Sequence, residues 1–577
     1  MDINELLNNT IDNYWSWRLL DIPEFATFVG EHKHDDRLMD MSLNGYLRRR
    51  DDAKTWLAEA HKIRKLAEET PPSNGCQIHL DYLQHDTETF LEGLTHQTYL
   101  CPLNPTDGPH IKFPRLLSWM PKDTTEGQEN IKRRLRQFSI QIDQMIELMK
   151  EGIRLEKTVA INVVECYPPM LLEFCNRQKE ESTLFQPFQD KPTKLSDEKW
   201  SNFADNVNHL LTTLVLPAYE RLAIFIRDVY MPETKPGPGL PPEVYESYVR
   251  FHTDGATTAK EIFDLGMEKL EMLKPKLEEQ QKKVGFEGTQ REFIEYLRTD
   301  PKFSFSSREE MMEVYEKESE RVYSLLPKVF SKLPKMSYKV VPAPVEIEKH
   351  YCVGAYVAGD VEKDRPGLFI LNTYSPKSRK KYDVSGIILH EALPGHHIQL
   401  ALAAESDLRD YRRFADELRY WDLPAHVGMK SAYHEGWATY AEHIGHDLGL
   451  YDDVYDHIGS ISREIELACR YVVDVGLHLY GWSREKAYQF MLDNCCCDEL
   501  ELRNEVFRYM FLPGQALCYL FGKDKFLEYR KKAEESLGER FNVGEFHTML
   551  CSLGDVPMFI VEGQVDNFIA DRIEKAA

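Results

Sequence analysis

Gly386 to Leu400 reads GIILHEALPGHHIQL, an apolar run that delivers His390 and Glu391 toward an interior, then a Pro-Gly pair, then His396 and His397. Titratable side chains are costly to bury unless paired or metal-bound, so their place directly behind Ile387, Ile388 and Leu389 points to chemistry. Neutral imidazoles with one carboxylate suit a four-coordinate zinc ion that keeps one position for water. A second glutamate beside a ligand can then take the proton of that water. On this reading His390 is a ligand and Glu391 the base. A glutamate from a later helix would complete the set, and Glu435 in SAYHEGWATYAEHIG is the candidate.

The spacing departs from H-E-x-x-H, in which two histidines stand one helical turn apart. Four residues after His390 comes Pro394, which offers neither a metal ligand nor a backbone N–H. On an unbroken helix His396 would lie about 240° round from His390, and His397 about 10 Å further along the axis. Pro394 and Gly395 suit a break, since one disrupts the hydrogen-bond ladder and the other tolerates unusual dihedrals. Looping out two residues returns His396 to the one-turn position. His396 is therefore the expected second ligand, with His397 the alternative.

Glu435-Gly436-Trp437-Ala438 with Tyr440 resembles the segment of zinc aminopeptidases that supplies their glutamate ligand. The pairing of HEALPGHHIQ with HEGWATYAE is similar to the family called domain of unknown function 885, grouped with the zincin metallopeptidases. GLPPEVYESYVRFHT, DRPGLFILNT, RYVVDVGLHLYGWSREKA, EVFRYMFLPGQALCY and FHTMLCSLGDVPM share the likeness, which covers Gly239 to Pro557. The resemblance implies a two-lobed helical zincin-like metallopeptidase whose cleft excludes folded proteins. It also implies an edge strand beside the metal helix that holds a peptide by strand addition.

Two further stretches bear on catalysis. From Ile461 to Trp482 a helix is expected in which Glu466, Arg470, Asp474 and His478 follow at four-residue steps. On a surface this would be an ordinary ion-pair ladder. Its apolar neighbours and the family likeness favour a polar line supporting the site, with Arg470 or His478 meeting a substrate carboxylate or the oxyanion. In Glu505 to Tyr519, Arg508-Tyr509 followed by an apolar run with Gln515 resembles the segment of angiotensin-converting-type peptidyl dipeptidases that supplies an oxyanion donor. Tyr509 is the expected donor, with Tyr519 and His547 in reserve; Arg365, Arg508 and Tyr519 are candidate substrate contacts.

The elements that must position these residues are mostly helices. Ile131, Leu135, Phe138, Ile142, Met145 and Met149 recur at helical spacing, as do Trp200, Phe203, Val207, Leu210 and Leu214. Ser196-Asp197-Glu198 is a helix start. MPETKPGPGLPP, residues 231–242, is the expected junction between an N-terminal helical lobe, 1–238, and a catalytic lobe, 239–577. Alternation from Met336 to Val357 and from Leu368 to Leu371 predicts a small sheet beside the metal helix, with Asp364-Arg365-Pro366-Gly367 as a turn. The expected fold is mainly α.

Composition narrows the function classes. With 577 residues, 42% hydrophobic and 29% charged, the chain has the makeup of a globular protein. A net charge of -24 without a dense basic block argues against nucleic acid or an anionic membrane as partner. No early apolar segment and no uncharged run of about 18 residues is present, so a cytoplasmic location is expected. Eleven scattered cysteines agree with a reducing compartment, and Cys495 to Cys497 lack C-x-x-C geometry. The expectation is a zinc hydrolase cleaving amide bonds of short peptides, of exopeptidase or dipeptidase type. A metal-dependent hydrolase or lyase of a small non-peptide metabolite, or a metal-free helical scaffold, are the alternatives. The pattern sets neither the oligomeric state nor which end of a peptide is recognised.

Overall fold

The stripe from Ile131 to Met149 lies on one helix, Thr125–Arg154, and all six of its apolar members are buried. The stripe from Trp200 begins at Ser196, whose side chain caps the helix by accepting from the Lys199 amide. That helix runs on to Glu233 through two π stretches, Leu211–Val215 and Ile226–Tyr230. Pro217 and Pro232 each stand two residues beyond one of them; a proline has no N–H for the ladder, and a widened turn accommodates the gap. The run is long and apolar enough to cross a membrane, and half of its most apolar window is buried in the structure. Its inner face packs with Phe113, Phe138 and Leu171 into one apolar core.

The computed structural model describes residues 2–105, 108–343, 348–350, 352–360, 365–422, 425–429 and 431–575. The chain is mainly helical, with one three-stranded sheet among the described residues. It divides into two compact units. The first comprises Met1–Pro238 with Glu417–Met429, and the second Gly239–Asp416 with Lys430–Ala577. The return of 417–429 to the first unit has no counterpart in the composition of the sequence.

The sheet belongs to the second unit and consists of β1 (Tyr338–Pro342), β2 (Gly354–Val357) and β3 (Gly367–Leu371). Within the span expected to be strand, residues 344–347 and 351 lie outside the described residues, as does Asp364 of the expected turn. The order is β1-β3-β2, with β1 parallel and β2 antiparallel to β3. Gly367, Phe369 and Leu371 of the central strand point inward, and β2 occupies an edge.

Six helices of the same unit build the site. They are α1 (Val384–Glu391), α2 (His396–Ala404), α3 (Ala432–Leu448), α4 (Val454–His478), α5 (Glu499–Phe511) and α6 (Cys518–Leu537). The edge strand lies against α1: a Cβ on Gly354 would stand 3.2 Å from Cγ of Glu391 and 2.9 Å from the Phe369 ring. A side chain at this position would crowd the Phe369 ring, so glycine suits the strand's close approach to Glu391.

Candidate metal centre

The break between α1 and α2 is a full turn of chain, not a two-residue bulge in one helix. Ala392 leaves helical dihedrals at φ -119°, ψ -81°, and α2 starts only at His396. Gly395 makes the reversal possible, since a Cβ there would lie 1.8 Å from the carbonyl oxygen of His390 and 2.4 Å from that of Leu389. The turn is tied to α3 by the Trp437 indole N–H, which donates to the Pro394 carbonyl at 3.0 Å. His390 thus sits at the end of one helix and His396 at the start of the next, facing each other.

Glu435, in the first turn of α3, stands opposite both. One of its carboxylate oxygens is 3.4 Å from Nε2 of His390 and 3.4 Å from Nε2 of His396. The three side chains are buried, and their donor atoms lie within 4.8 Å of one another. A charge-assisted N–H···O bond closes to about 2.7–2.9 Å, so 3.4 Å is long for an ion pair. It is the right length for the edge of a tetrahedron: ligands about 2.05 Å from zinc at the tetrahedral angle are about 3.3–3.4 Å apart. The donor set of two imidazoles and one carboxylate fits zinc.

The electrostatics point the same way. Burial opposes a charge on His390, yet the Glu435 and Glu442 carboxylates outweigh it and raise the ring to about 9. Glu391, the last residue of α1, is only partly buried and faces Gly354 of the edge strand.

The other candidates separate clearly. His397 turns away from the trio: its Nδ1 stands 2.8 Å from the Tyr356 hydroxyl, its ring packs on Tyr338, and burial lowers it to about 4. Tyr519, at the start of α6, stacks on His390 with centroids 6.0 Å apart and planes at 19°. Arg470 lies over the Tyr519 ring at 4.7 Å and pairs with Glu466 at 2.6 Å and Glu505 at 3.2 Å. Glu505 also accepts from Arg508 at 2.7 Å and from the Tyr509 hydroxyl at 2.8 Å, while Arg508 reaches Gln515. Tyr509 is therefore joined to this carboxylate, whereas the Tyr519 hydroxyl receives the Gln515 amide at 3.2 Å.

The ladder on α4 anchors backbone as much as it faces the site. Asp474 accepts from the Tyr245 hydroxyl at 2.6 Å and the Gly514 amide at 2.9 Å, and His478 meets the Tyr509 carbonyl at 2.8 Å. His478 is buried, and both nitrogens of the His547 ring are engaged, with the Tyr440 hydroxyl and the Val329 carbonyl. Arg365 is exposed and its backbone bridges to Asp360 at 2.8 and 2.9 Å.

With this geometry in view, a family profile described as bacterial protein of unknown function (DUF885) matches residues 23–565. The chain belongs to the DUF885 family. Among solved structures, a "putative lipoprotein" of Colwellia psychrerythraea superposes with a TM-score of 0.84 at 23% identity, covering 99% of each chain. A "putative lipoprotein of unknown function" of Shewanella oneidensis gives 0.66 at 15% identity, over 98% of this chain and 99% of that one. These likenesses establish a shared fold. No curated protein matches the chain.

Three features of this DUF885 site escape a reading of the sequence alone. Glu442 holds the outer face of His390, with Oε1 2.8 Å from Nδ1, so that Nε2 points at Glu435. Arg463 of α4 grips the same carboxylate at 2.5 and 2.7 Å and keeps it ionised, down to about 2 despite its burial. His434 stacks on His396 at 4.4 Å. The signal for Glu442 was its spacing: seven residues after Glu435 is two helical turns, hence the same face of α3. His434 belongs to a second convergence, with Asp416 and Asp555, in which Asp416 and Asp555 accept backbone N–H groups of Ser431 and Asp416 at 3.2 and 3.3 Å.

Proposed function

We propose that this DUF885 chain is a zinc-dependent hydrolase that cleaves amide bonds in short peptides, on a two-lobed zincin-like fold. The observation that carries the reading is the convergence of two Nε2 atoms on one oxygen of Glu435 at a tetrahedral-edge distance, with Glu391 at the end of α1 facing the edge strand. His390, His396 and Glu435 hold the ion. When bound, zinc lowers the pKa of a water and polarises the carbonyl to be attacked.

The remaining work falls to the chain. An extended peptide pairs with the outer edge of β2, which has no strand beyond it among the described residues, and this brings its carbonyl past Glu391. Glu391 takes the proton of the attacking water and passes it to the leaving amine. Tyr519 supplies the donor to the developing oxyanion; Tyr509, whose hydroxyl is given to Glu505, steadies the network behind it. Arg470, over the Tyr519 ring, helps hold it in place. An extra base beside the ligands favours a catalytic over a purely structural ion.

On location, the likeness pulls against the cytoplasm read from the sequence: the Colwellia and Shewanella structures carry the description "putative lipoprotein", which favours attachment at a membrane. Cell fractionation separates the two.

Metal analysis of the wild type beside alanine variants of His390, His396, His397 and Glu435 tests the centre. One zinc per chain is expected, lost in all but His397→Ala. Glu391→Gln should retain zinc and lose about 10²–10⁴ of its kcat/KM on a peptide library. No bound zinc in the wild type, or full activity in Glu391→Gln, overturns the proposal.

A further inference from the structure

His397 follows His396 directly, and its ring turns from the trio toward the sheet, where it is 2% exposed. Nδ1 stands 2.8 Å from the Tyr356 hydroxyl of β2. The Met336 backbone, two residues ahead of β1, is the ring's second hydrogen-bond partner. A carbonyl only accepts, so the proton of the neutral ring serves Met336 and Nδ1 accepts from Tyr356. The hydroxyl reaches this far by crossing the central strand, where a Cβ on Gly367 would lie 1.9 Å from it. The Met336 sulfur is 3.9 Å from the same hydroxyl, and the Tyr338 ring of β1 packs on the imidazole with centroids 4.7 Å apart. One side chain of α2 therefore ties both outer strands to the helix that begins with His396.

The backbone of Tyr356 faces the other way. In an antiparallel ladder, residues alternate between those bonded to the neighbouring strand and those turned outward. The Asn372 amide donates to the Val353 carbonyl at 2.9 Å, and Gly354 stands opposite Leu371. Val353, Ala355 and Val357 therefore direct their main-chain groups at β3, and Gly354 and Tyr356 direct theirs at the outer edge. The central strand agrees, since its Leu371 carbonyl and Gly367 amide bond on the β1 side. Tyr356 thus offers its N–H and C=O to a chain that pairs with β2, roughly 7 Å along the strand from the Gly354 that faces Glu391. Its hydroxyl holds the same residue to α2.

We propose that His397 is a positioning residue: through Tyr356 it fixes β2 against α2, and so sets which carbonyl of a paired peptide stands at the ion. The strut stands on the sheet contacts alone; its effect on cleavage rests on the peptidase reading.

Three variants of the full chain test it. His397→Phe keeps a ring and loses both bonds, Tyr356→Phe loses one hydroxyl, and His397→Gln keeps one acceptor and one donor. Amide hydrogen exchange of residues 353–357 is read without substrate. It should speed up about tenfold in both phenylalanine variants and stay within about threefold of wild type in the glutamine variant. On one peptide substrate the phenylalanine variants should raise KM about tenfold with kcat changed by under about threefold, and His397→Gln should restore KM. Zinc content should not change. Wild-type exchange in both phenylalanine variants overturns the strut, and Tyr356→Phe alone carries this test should His397→Phe fail to fold. Loss of zinc from a folded His397→Phe, or a fall in kcat at unchanged KM, assigns the residue to the metal centre and overturns the positioning role. Faster exchange in a protein whose wild type cleaves no peptide leaves the strut standing and removes the peptidase reading.

Discussion

Glu442→Ala removes the carboxylate that orients His390, and its cost can be worked from the contacts. His390 Nδ1 lies 2.8 Å from Glu442, inside a buried cluster where Arg463 fixes the same carboxylate through two bonds. A hydrogen bond to a charged group contributes about 1.5–3 kcal/mol. At about 1.4 kcal/mol per factor of ten, its loss weakens zinc binding about 10- to 100-fold, in line with what outer partners of metal-bound histidines supply. Glu442→Gln keeps an oxygen facing His390 and loses the charge, so its affinity should fall less, by about tenfold or under. The assay is equilibrium competition against a chromogenic zinc chelator near neutral pH, with thermal melts of the metal-free proteins as a control on folding. Zinc-loaded protein should also lose up to about 2.7 kcal/mol of stability relative to the wild type at equal free zinc. A folded Glu442→Ala protein with unchanged zinc affinity refutes the role, and equal losses in the alanine and glutamine variants would assign it to packing.

Two further outcomes are expected. Tyr519→Phe should lower kcat/KM by about 10²–10³ and Tyr509→Phe by under about tenfold, measured on one peptide substrate; the opposite order returns the oxyanion donor to Tyr509. Asp383, raised from 3.8 to about 8 by burial and by the neighbouring Glu501 carboxylate, binds its proton more tightly in the folded state than in the unfolded chain. Its contribution to stability therefore falls as pH rises from about 4 to about 8, and Asp383→Asn, which cannot ionise, should narrow the gap between melting temperatures measured at pH 5 and pH 8. An unchanged gap would clear Asp383 of that dependence.

The site was partly legible because its chemistry interrupts a simple pattern. His390, Glu391 and His396 stand out as titratable groups inside an apolar segment, and Glu435 opens a helix of matching character. The apolar stripes of the helices were equally plain, since burial on one face needs only a period. The form of the break was less visible: its closure depends on the Trp437 tether and on the space Gly395 leaves beside two carbonyls, both set by tertiary contact. Tyr509 and Tyr519 cannot be ranked by pattern, because the turn at Gly514, φ +75°, decides which ring meets His390. The α4 ladder shows where its polar face lies and conceals that Asp474 and His478 hold main-chain atoms.

The assignment of 417–429 to the first unit sets a timetable for synthesis. Arg18, 1% exposed beneath the Trp17 and Phe90 rings, pairs with Asp422, 404 residues later. Lys112 donates to the Tyr420 carbonyl at 2.7 Å, and Arg419 meets Asp86 at 3.4 Å. At about 5–20 residues per second, the ribosome delivers Asp422 roughly 20 to 80 seconds after Arg18. Until then the first unit would bury a guanidinium without its carboxylate, a deficit of about 3–5 kcal/mol. The amino-terminal unit is therefore expected to finish folding only after these residues arrive, although it is made first. A nascent chain stalled before residue 417 should be open to proteases, and release of the next dozen residues should close it.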